Sequence, residues 1–552
     1  MCSSIRNKEP SESEDLIQHT KQICCTFLRF VIIQLHVLFD CIVDFIFGLY
    51  YDKKANKVPP VEQKLLLESA VSLAEKIRTK QVTSEEVVGA FIARCKEVNC
   101  LINAIVVERY EPALEDAKKV DLMIQQGIDQ EKIKNEKPFL GVPFTTKESN
   151  RAEGLIHSLG LLCRRNHCCE DDAATVRLLK EAGAILIAKT NVPELNLWTE
   201  SRNHLFGQTN NPYNTTRTVG GSSGGEGALM AASGTPLSLA SDIGGSTRMP
   251  AFFNGCFGHK PSEGLISVYG IGLRDKHFLD TMVAAGPICR HAEDIAPVLK
   301  VLIDKNPKFQ LDDRLKNLPM YKNGPRLRFD ESVNVKDLKV FYQESSGDLR
   351  ASKVTKTMRT TIRKAVKHLE KLTGSATKIK IPGSEYSFKL WRYWMTRENV
   401  NFRENITGGK YSTSAIRELA NLLTGNSQLT AAAVFKLADE DFFPEVNAEW
   451  AKSVTAKAKL FLAETLGDNG VLLYTSAPFP ASYHYSAFLR PYNFGYWCFF
   501  NVLRFPSLQV PMGLDKQGLP VGIQVIAAPY NDHLCLAVGR ELEKEFGGWV
   551  QP

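Results

Sequence analysis

Two serines flanked by glycines, Ser222 in GGSSGG and Ser246 in DIGGSTR, lie within residues 216–264. Glycine adopts positive φ and lets the backbone approach closely, so N–H groups beside each hydroxyl can point at a bound group. Acyl transfer needs this combination, because the hydroxyl attacks a carbonyl while N–H donors stabilise the oxyanion. Flexible linkers are the alternative, but linkers are polar throughout. Residues 225–232 instead predict a helix, and residues 236–240 are apolar.

A third segment, GVPFTTKES with Lys147, precedes the two serine motifs, and the three in this order resemble the signature of the amidase signature family of serine hydrolases. The likeness runs from about residue 62 to the end of the chain. It implies a catalytic set of Lys147 as base, Ser222 as bridge and Ser246 as nucleophile. It also implies an α/β architecture, the amidase signature fold, with a large twisted mixed β-sheet covered by helices on both faces. The implied substrates are long-chain fatty-acid amides, and ester cleavage is left open.

A serine hydroxyl is a weak nucleophile until a base removes its proton, and neither serine motif brings a histidine with it. His259 follows in GHKP, which predicts a structural turn. A lysine acts as a base only when it is neutral, and burial without a carboxylate partner favours that form. The hypothesis is that Lys147 draws a proton through Ser222 from Ser246, and that Ser222 returns it to the departing amine.

The residues around the nucleophile have predicted roles in substrate binding. The backbone N–H groups of Ile243, Gly244, Gly245 and Ser246 are expected to hold the oxyanion, and one such donor is typically worth about 3 kcal/mol. Asn196 is expected at the leaving-group end of the site, where related lipid-amide hydrolases have a more apolar residue.

Three neighbours of the nucleophile are expected to be mainly structural. Asp242 and Arg248 flank Ser246, and a pairing between them that fixes the glycine loop is favoured over substrate contact, because buried ions need partners. Thr247 stands where many family members have isoleucine, so its hydroxyl could change the fit of the acyl group. Ser223 is expected to form hydrogen bonds within the turn.

Three other interpretations are weighed against this one. GSSGG also matches a G-x-S-x-G nucleophile elbow with Ser223 as nucleophile, but that motif requires a preceding strand and a later Asp and His. Residues 210–218 predict turn and loop instead. The second alternative is an amidase of small non-lipid amides or glutamine, and the third is an inactive membrane-bound scaffold with the same fold. The apolar N-terminal segment argues against the former, and the presence of all three catalytic positions argues against the latter.

The elements that must position these residues are predicted from hydrophobic periodicity. Lys147 ends a strand over residues 140–146, and residues 173–189 predict a helix and then a strand, an alternation typical of an α/β layered domain. Thr83 and Glu86 form a capping-box signature before a helix. Other expected elements are a charged loop at 128–137, a helical cap at 411–443, and strands at 105–107, 471–474, 508–512 and 521–526.

The N-terminal part of the chain is predicted to associate with a membrane. Residues 1–22 are polar and are expected to be a disordered tail, whereas residues 23–51 are long and apolar enough for a membrane-spanning helix. Four polar residues, Arg29, His36, Asp40 and Asp44, interrupt this segment and fall on one helix face. That pattern fits a spanning helix with a polar stripe or an interfacial helix. The alternative is an amphipathic helix packed on the enzyme.

The boundary of the globular part is predicted at VPP, residues 58–60, which gives an amidase domain over 58–552 with a signature core at about 140–270. If the helix spans, the lysines at 53, 54 and 57 place this domain on the cytosolic side.

Composition restricts the partners of the chain. Its 552 residues carry a net charge of +7, and scattered lysines and arginines give no support for nucleic-acid binding. The thirteen cysteines show no disulfide spacing, and the group at 163–169 lacks the second ligand pair of a zinc site. No cofactor and no metal are expected. The expected partners are a lipid amide substrate and a membrane surface, and a homodimer is left open.

Overall fold

The computed structural model describes residues 12–127, 129–274, 281–303, 313–322, 324, 326–398 and 401–552. The strands in chain order are β1 Ile105–Glu108, β2 Pro143–Lys147, β3 Ile185–Thr190, β4 Arg202–Asn203, β5 Gly207–Gln208, β6 Ser238–Asp242, β7 Phe257–Lys260, β8 Ala284–Cys289, β9 Lys339–Gln343, β10 Ala376–Lys378, β11 Gly470–Thr475, β12 Ser507–Leu514 and β13 Pro520–Ala527. Eleven of them form one sheet in the order β1-β3-β2-β6-β8-β7-β12-β13-β11-β9-β10, and β4 pairs with β5.

The large sheet is mixed in direction and is covered on both faces. Parallel pairs lie near its two ends, β3-β2-β6 and β11-β9-β10, while the pairs from β6 to β11 are antiparallel. Every residue of β11 and β13 is buried. Because successive residues of a strand point to opposite faces, helices must cover both sides of these strands. This is the fold predicted from the family resemblance.

The helices surround this sheet. In chain order they are α1 Glu12–Tyr51, α2 Ala70–Arg78, α3 Ser84–Ile102, α4 Tyr110–Gln125, α5 Gln130–Glu136, α6 Ala174–Glu181, α7 Gly224–Ala231, α8 Arg248–Phe253, α9 Ile295–Leu302, α10 Asp313–Lys316, α11 Lys356–Thr373, α12 Ser387–Met395, α13 Phe402–Asn405, α14 Ala415–Leu423, α15 Ala431–Phe442, α16 Ala448–Leu466, α17 Gly495–Leu503 and α18 Asp532–Phe546. The predicted capping box is confirmed at α3, where Thr83 accepts from the Glu86 N–H and the Glu86 side chain accepts from the Thr83 N–H.

A loop predicted from the sequence is a helix in the structure. The charged segment predicted as a loop over residues 128–137 contains helix α5, while residue 128 itself lies outside the described residues. Asp129 caps this helix by accepting from the Glu131 N–H at 2.9 Å, and Ile133 is buried against the core. A single anchoring apolar residue gives too weak a periodic signal to predict so short a helix.

The predicted helical cap is confirmed as α14 and α15, and these two helices have a small core of their own. Phe402, Leu429, Val434 and Leu437 are buried together in it, and Leu195 packs against them from the body of the protein. The cap therefore rests on the loop that contains Leu195. Its outer surface leaves several large apolar side chains exposed, namely Ile416, Leu419, Leu423, Phe435 and Phe442.

Helix α1 already begins at Glu12, whereas the sequence predicts a disordered tail up to residue 22; residues 1–11 lie outside the described residues. Extending an existing helix costs much less than nucleating one, so the apolar segment propagates helix toward the N-terminus. Within the described residues, Thr26–Lys54 is the one helical stretch that could cross a membrane by length and composition alone, with a mean hydropathy of 2.1.

The predicted polar stripe of α1 faces the body of the protein. Arg490 donates from Nε to Asp40 Oδ1 at 2.8 Å and from Nη2 to the Asp40 carbonyl at 2.7 Å. The same Nη2 lies 2.8 Å from Asp44 Oδ1, and Ser352 Oγ donates to Asp40 at 3.1 Å. The Arg490 side chain is only 2% exposed. These contacts hold α1 against the body, so its opposite, apolar face points away from the protein.

Replacing Arg490 with Met should loosen α1 from the body, because Asp40 would then lack its counter-charge at a largely buried site. Removing one partner of a buried ion pair costs about 2–5 kcal/mol. Amide hydrogen exchange of α1 in detergent should accelerate accordingly. The control is Arg177→Gln, which removes an exposed pair with Glu181 and should cost less than about 1 kcal/mol. Unchanged exchange of α1 in Arg490→Met would contradict this role.

Candidate functional site

Lys147 lies at the end of β2, where the sheet brings it beside the next parallel strand, β6. Its Nζ is 2.7 Å from Ser222 Oγ and 3.1 Å from Ser241 Oγ, and its side chain is fully buried. Among the described residues Lys147 forms no ion pair. Burial lowers the pKa of Lys147 from 10.5 to about 7, against the opposing charges of Asp242 and Glu226. A substantial neutral fraction is therefore present near neutral pH.

Ser222 is held in a loop that glycines allow to pack tightly. A Cβ at Gly221 would lie 2.3 Å from the Trp198 carbonyl oxygen, so no other residue fits there without a shift. Ser201 ties the loop together, since its Oγ donates to the Gly220 carbonyl at 3.1 Å and accepts from the Gly224 N–H at 2.9 Å. Helix α7 begins directly after this loop. The glycines thus fix the Ser222 hydroxyl within reach of Lys147.

Ser246 lies in the loop between β6 and α8, and the two serine loops are joined by their backbones. The Ser223 N–H donates to the Ser246 carbonyl at 3.3 Å. Ser246 is 7% exposed and lines the same cavity as Lys147 and Ser222. Within the described ranges its hydroxyl has no hydrogen bond to either of them. The structure therefore brings all three predicted residues to one cavity, with Lys147 and Ser222 in direct contact.

An ion pair between Asp242 and Arg248 fixes the Ser246 loop, and this confirms the predicted pairing. Arg248 Nε lies 3.0 Å from Asp242 Oδ2, and both side chains are completely buried. Burial alone would raise the pKa of Asp242, but the charge and hydrogen bonds of Arg248 hold it well below its usual range. Asp242 also accepts from the N–H groups of Gly245 at 2.7 Å and Thr247 at 3.1 Å. The carboxylate thus determines the shape of the loop.

Two residues from distant segments of the chain complete this network. Arg248 donates to Gln524 Oε1 at 2.7 Å and to Asn501 Oδ1 at 2.7 Å. Asn501 in turn donates from Nδ2 to Asp242 Oδ1 at 2.9 Å. Neither residue was assigned a role from the sequence, because their contribution depends on β13 and α17 coming to lie beside the signature loop.

Aromatic side chains pack closely against the glycines of the loop that is predicted to hold the oxyanion. A Cβ at Gly244 would lie 2.4 Å from Phe494 Cζ, and one at Gly245, whose φ is +114°, would lie 2.3 Å from Trp497 Cβ. The Ile243 carbonyl accepts from Trp391 Nε1 at 3.0 Å. The Gly245 N–H already donates to Asp242, so it is less suited to the predicted oxyanion role than the N–H groups of Ile243, Gly244 and Ser246.

Thr247, the departure from the family pattern, is fully buried and does not line the cavity that holds Ser246. The predicted influence of its hydroxyl on acyl fit therefore has no direct contact to support it.

Sequence reasoning did not identify Ser241 or Glu226 as members of this site. Ser241 contacts Lys147 from β6, as described above. Glu226 on α7 is fully buried and accepts from Thr145 Oγ1 and Thr190 Oγ1, each at 2.7 Å. Burial raises the pKa of Glu226 to about 7, and its hydrogen bonds oppose this shift. The signal available in the sequence was the acidic residue within the apolar, glycine-rich helix that follows GGSSGG.

The three predicted catalytic residues line a cavity of about 430 Å³. Much of its wall is apolar, including Leu159, Leu195, Ile271, Val283, Met395 and Phe443. Charged residues line another part, where Arg274 pairs with Glu398 at 2.9 Å and Arg392 pairs with Asp439 at 2.8 Å. An amphipathic molecule with a long apolar part suits a wall of this composition.

Asn196 also lines this cavity, as predicted for a residue near the substrate. It adopts a left-handed conformation with φ of +62°, and its buried Oδ1 has no hydrogen-bond partner among the described residues. The turn that carries it is tied to the cap, because Glu194 Oε2 accepts from the Thr430 N–H at 2.9 Å and from Thr430 Oγ1 at 2.6 Å. A buried acceptor without a partner is suited to a hydrogen bond from a ligand.

The structure lacks the context of a nucleophile elbow at Ser223. Residues before Ser223 form a loop rather than a strand, and the Ser223 Oγ has no partner in the described part of the chain. His259 lies in β7 and not in the predicted turn; its Nε2 is 3.0 Å from Asp532 Oδ1, and both are buried. Ser262 Oγ contacts the same aspartate rather than the histidine. This pair is therefore structural.

The chain is similar to known proteins in both sequence and fold. Residues 86–536 match the family described as Amidase. The human protein Fatty-acid amide hydrolase 2 is 41% identical over 512 residues, covering 91% of this chain and 93% of the relative. Fatty-acid amide hydrolase 2-A of Danio rerio is 38% identical, covering 90% and 92%.

A solved structure titled Fatty acid amide hydrolase shares the fold. It has a TM-score of 0.69 at 20% identity and covers 90% of this chain and 87% of its own. Residues 86–536, which match the family, contain the strand that ends in Lys147 and both glycine-flanked serines. The chain therefore belongs to the amidase signature family.

Proposed function

We propose that this protein is a membrane-associated serine hydrolase that cleaves fatty-acid amides to a free fatty acid and an amine. One observation carries the proposal: a fully buried Lys147 amine lies 2.7 Å from Ser222 in the cavity that Ser246 lines. The substrate class is supported by the name of the human relative, 41% identical across nearly the whole chain. The apolar wall of the cavity is compatible with a fatty acyl chain.

The proposed reaction begins with proton transfer. Neutral Lys147 accepts a proton from Ser222, which accepts one from Ser246, and the Ser246 oxygen attacks the amide carbonyl. A neutral amine has one lone pair and two N–H groups. If one N–H donates to Ser241 Oγ, the lone pair can turn toward Ser222. Ser241 therefore orients the base.

The negative charge that develops on the carbonyl oxygen is stabilised in this proposal by the N–H groups of Ile243, Gly244 and Ser246. Ser222 then donates its proton to the nitrogen and takes one back from protonated Lys147, so that the amine leaves as a neutral molecule and the base is restored. Asn196 can accept a hydrogen bond from the substrate N–H through its unpartnered Oδ1. Water hydrolyses the acyl-enzyme at Ser246 and releases the fatty acid.

Two apolar surfaces support membrane association. On the outward face of α1, large apolar side chains have 57–68% of their surface exposed, among them Phe30, Leu35, Leu38, Phe45 and Leu49. The cap exposes its own apolar residues, and the Phe435 ring lies 5.3 Å from that of Phe488, in a segment beside α1. Since the polar stripe of α1 is occupied by Arg490 and Ser352, we propose that α1 lies in the membrane interface rather than crossing the bilayer.

The Ser246→Ala variant should lose hydrolysis of a long-chain fatty-acid amide by about 10⁶-fold, as removal of a catalytic serine does elsewhere. Labelling by a fluorophosphonate probe should disappear with it, while circular dichroism stays unchanged. Ser223→Ala is the matched control and should keep most activity. Labelling that survives in Ser246→Ala but not in Ser223→Ala would instead support the elbow, and a folded wild type that never labels would support an inactive scaffold.

The pH dependence of kcat/KM should report the Lys147 amine. Because the neutral amine is the base, activity should rise with pH and level off above the pKa of about 7, falling about tenfold per pH unit below it. In Glu226→Gln this limb should shift to lower pH, because the carboxylate raises the pKa of Lys147. A profile that does not change with pH through neutrality would refute the role of Lys147 as base.

Leu35→Glu should weaken binding to phosphatidylcholine vesicles by about 100-fold, the effect of placing a charge where an apolar side chain enters the membrane. Leu122→Glu on α4 is the matched control, since Leu122 is 58% exposed and Leu35 is 61% exposed. Hydrolysis of a short, soluble amide should be unchanged in both. Equal vesicle binding by the two variants would show that α1 is not the membrane-binding face.

A further inference from the structure

A second cavity of about 430 Å³ lies between α1 and the body of the protein. Arg29, Ile33 and His36 of α1 form one side, and residues 343–349 and 351–354 with Arg359 and residues 378–380 form the other. It shares no lining residue with the cavity of Lys147 and the serines. The proposed hydrolysis therefore gives this second cavity no role.

Positive charge dominates the lining of this second cavity. Five lysine and arginine side chains reach it, namely Arg29, Lys353, Arg359, Lys378 and Lys380. Within the described residues the first four form no ion pair, and Lys380 lies 4.0 Å from Glu385.

The two carboxylates that line the cavity are already engaged by arginines outside its lining. Arg363 Nε lies 2.7 Å from Glu344, and Arg350 Nη2 lies 2.8 Å from Asp348. The charges of Arg359 and Lys378 also act on the Glu344 carboxylate, but five cations line the cavity beside only two carboxylates, and the excess of positive charge favours binding of an anion.

The cavity is also the centre of the most basic segment of the chain. Residues 350–380 contain ten Lys and Arg and a single acidic residue, Glu370, so their net charge of +9 exceeds the +7 of the whole protein. The overall composition suggests that the lysines and arginines are scattered evenly. In fact they are concentrated in this segment. Several of them lie on α11 outside the cavity, including Lys364, Lys367 and Lys371, and these are exposed.

The position of the cavity indicates the source of the anion. An α-helix is about 10 Å across, and an interfacial helix buries its apolar face about 5–10 Å into the membrane. With the apolar face of α1 in the membrane, the opposite face and the cavity behind it lie at the level of the lipid headgroups. Basic pockets and clusters beside a membrane helix typically bind anionic headgroups.

We propose that this cavity binds the phosphate of an anionic phospholipid headgroup. Arg29, Arg359 and Lys378 supply the charge, and the hydroxyls of Ser345 and Ser346 line the same space as additional hydrogen-bonding groups. The inference rests on the proposed membrane association of α1 and is independent of the proposed hydrolysis.

The test compares two triple variants of the full chain. Arg359→Gln with Lys378→Gln and Lys380→Gln removes three charges from the cavity. Lys364→Gln with Lys367→Gln and Lys371→Gln removes three from the same basic segment outside it. Co-sedimentation is measured with phosphatidylcholine vesicles with and without phosphatidylglycerol, at constant ionic strength. The ratio of binding to anionic vesicles over binding to neutral vesicles should fall by about 10- to 100-fold in the cavity variant. It should fall by much less in the control variant.

The outcomes distinguish binding at this cavity from diffuse electrostatic attraction to the basic segment. They also distinguish a lipid headgroup from free phosphate as the ligand. An equal loss in both triple variants, or no loss in the cavity variant, would overturn the proposal. Inorganic phosphate that raises the thermal unfolding temperature of the wild type but not of the cavity variant, with vesicle preference unchanged, would assign the cavity to free phosphate. A wild type that binds neither kind of vesicle would overturn the headgroup and the membrane association together, while retained hydrolysis of a soluble amide would leave the proposed chemistry intact.

Discussion

The burial of one uncompensated amine is the constraint on which the rest of this structure depends. Lys147 is fully enclosed with two serine hydroxyls as its neighbours, and burial lowers its pKa to about 7. A lysine in water would stay charged near neutral pH and could not accept a proton. The sheet makes this burial possible, because Lys147 ends a strand that is covered on both faces. The closely packed fold thus supplies the burial that a lysine needs in order to be neutral and to act as a general base.

Arg248, a second buried basic residue near Lys147, differs from it because it has a carboxylate partner. Asp242 faces it at 3.0 Å, and two amide side chains complete its hydrogen bonds. The Asp242 carboxylate of this pair accepts hydrogen bonds from the N–H groups of Gly245 and Thr247 and so holds them in place. Lys147 has no counter-ion among the residues that the structure describes, which suits the proposed exchange of a proton, whereas the paired Arg248 holds the loop of Ser246.

Much of this arrangement could be predicted from the sequence, and the remainder depends on contacts between distant segments. The glycine-flanked serines and the strand ending at Lys147 are local patterns, so their positions and the sheet around them were predictable. Ser241 and Glu226 were not, because only the packing of β6 and α7 against β2 brings them to the amine. The polar stripe of α1 was predictable, but its partner Arg490 is 450 residues away along the chain.

The hydrogen bonds between Glu194 and Thr430 join the cap to the turn that carries Asn196. Asn196 faces the cavity from one side of this turn, while the apolar residues of the cap face outward from the other. Since Lys436, Asp439 and Glu440 of α15 also line the cavity, the position of the cap and the shape of the cavity wall are coupled, directly and through Glu194. On the proposed membrane association, a lipid surface in contact with these outer helices would therefore also change the shape of the space where the amide is held.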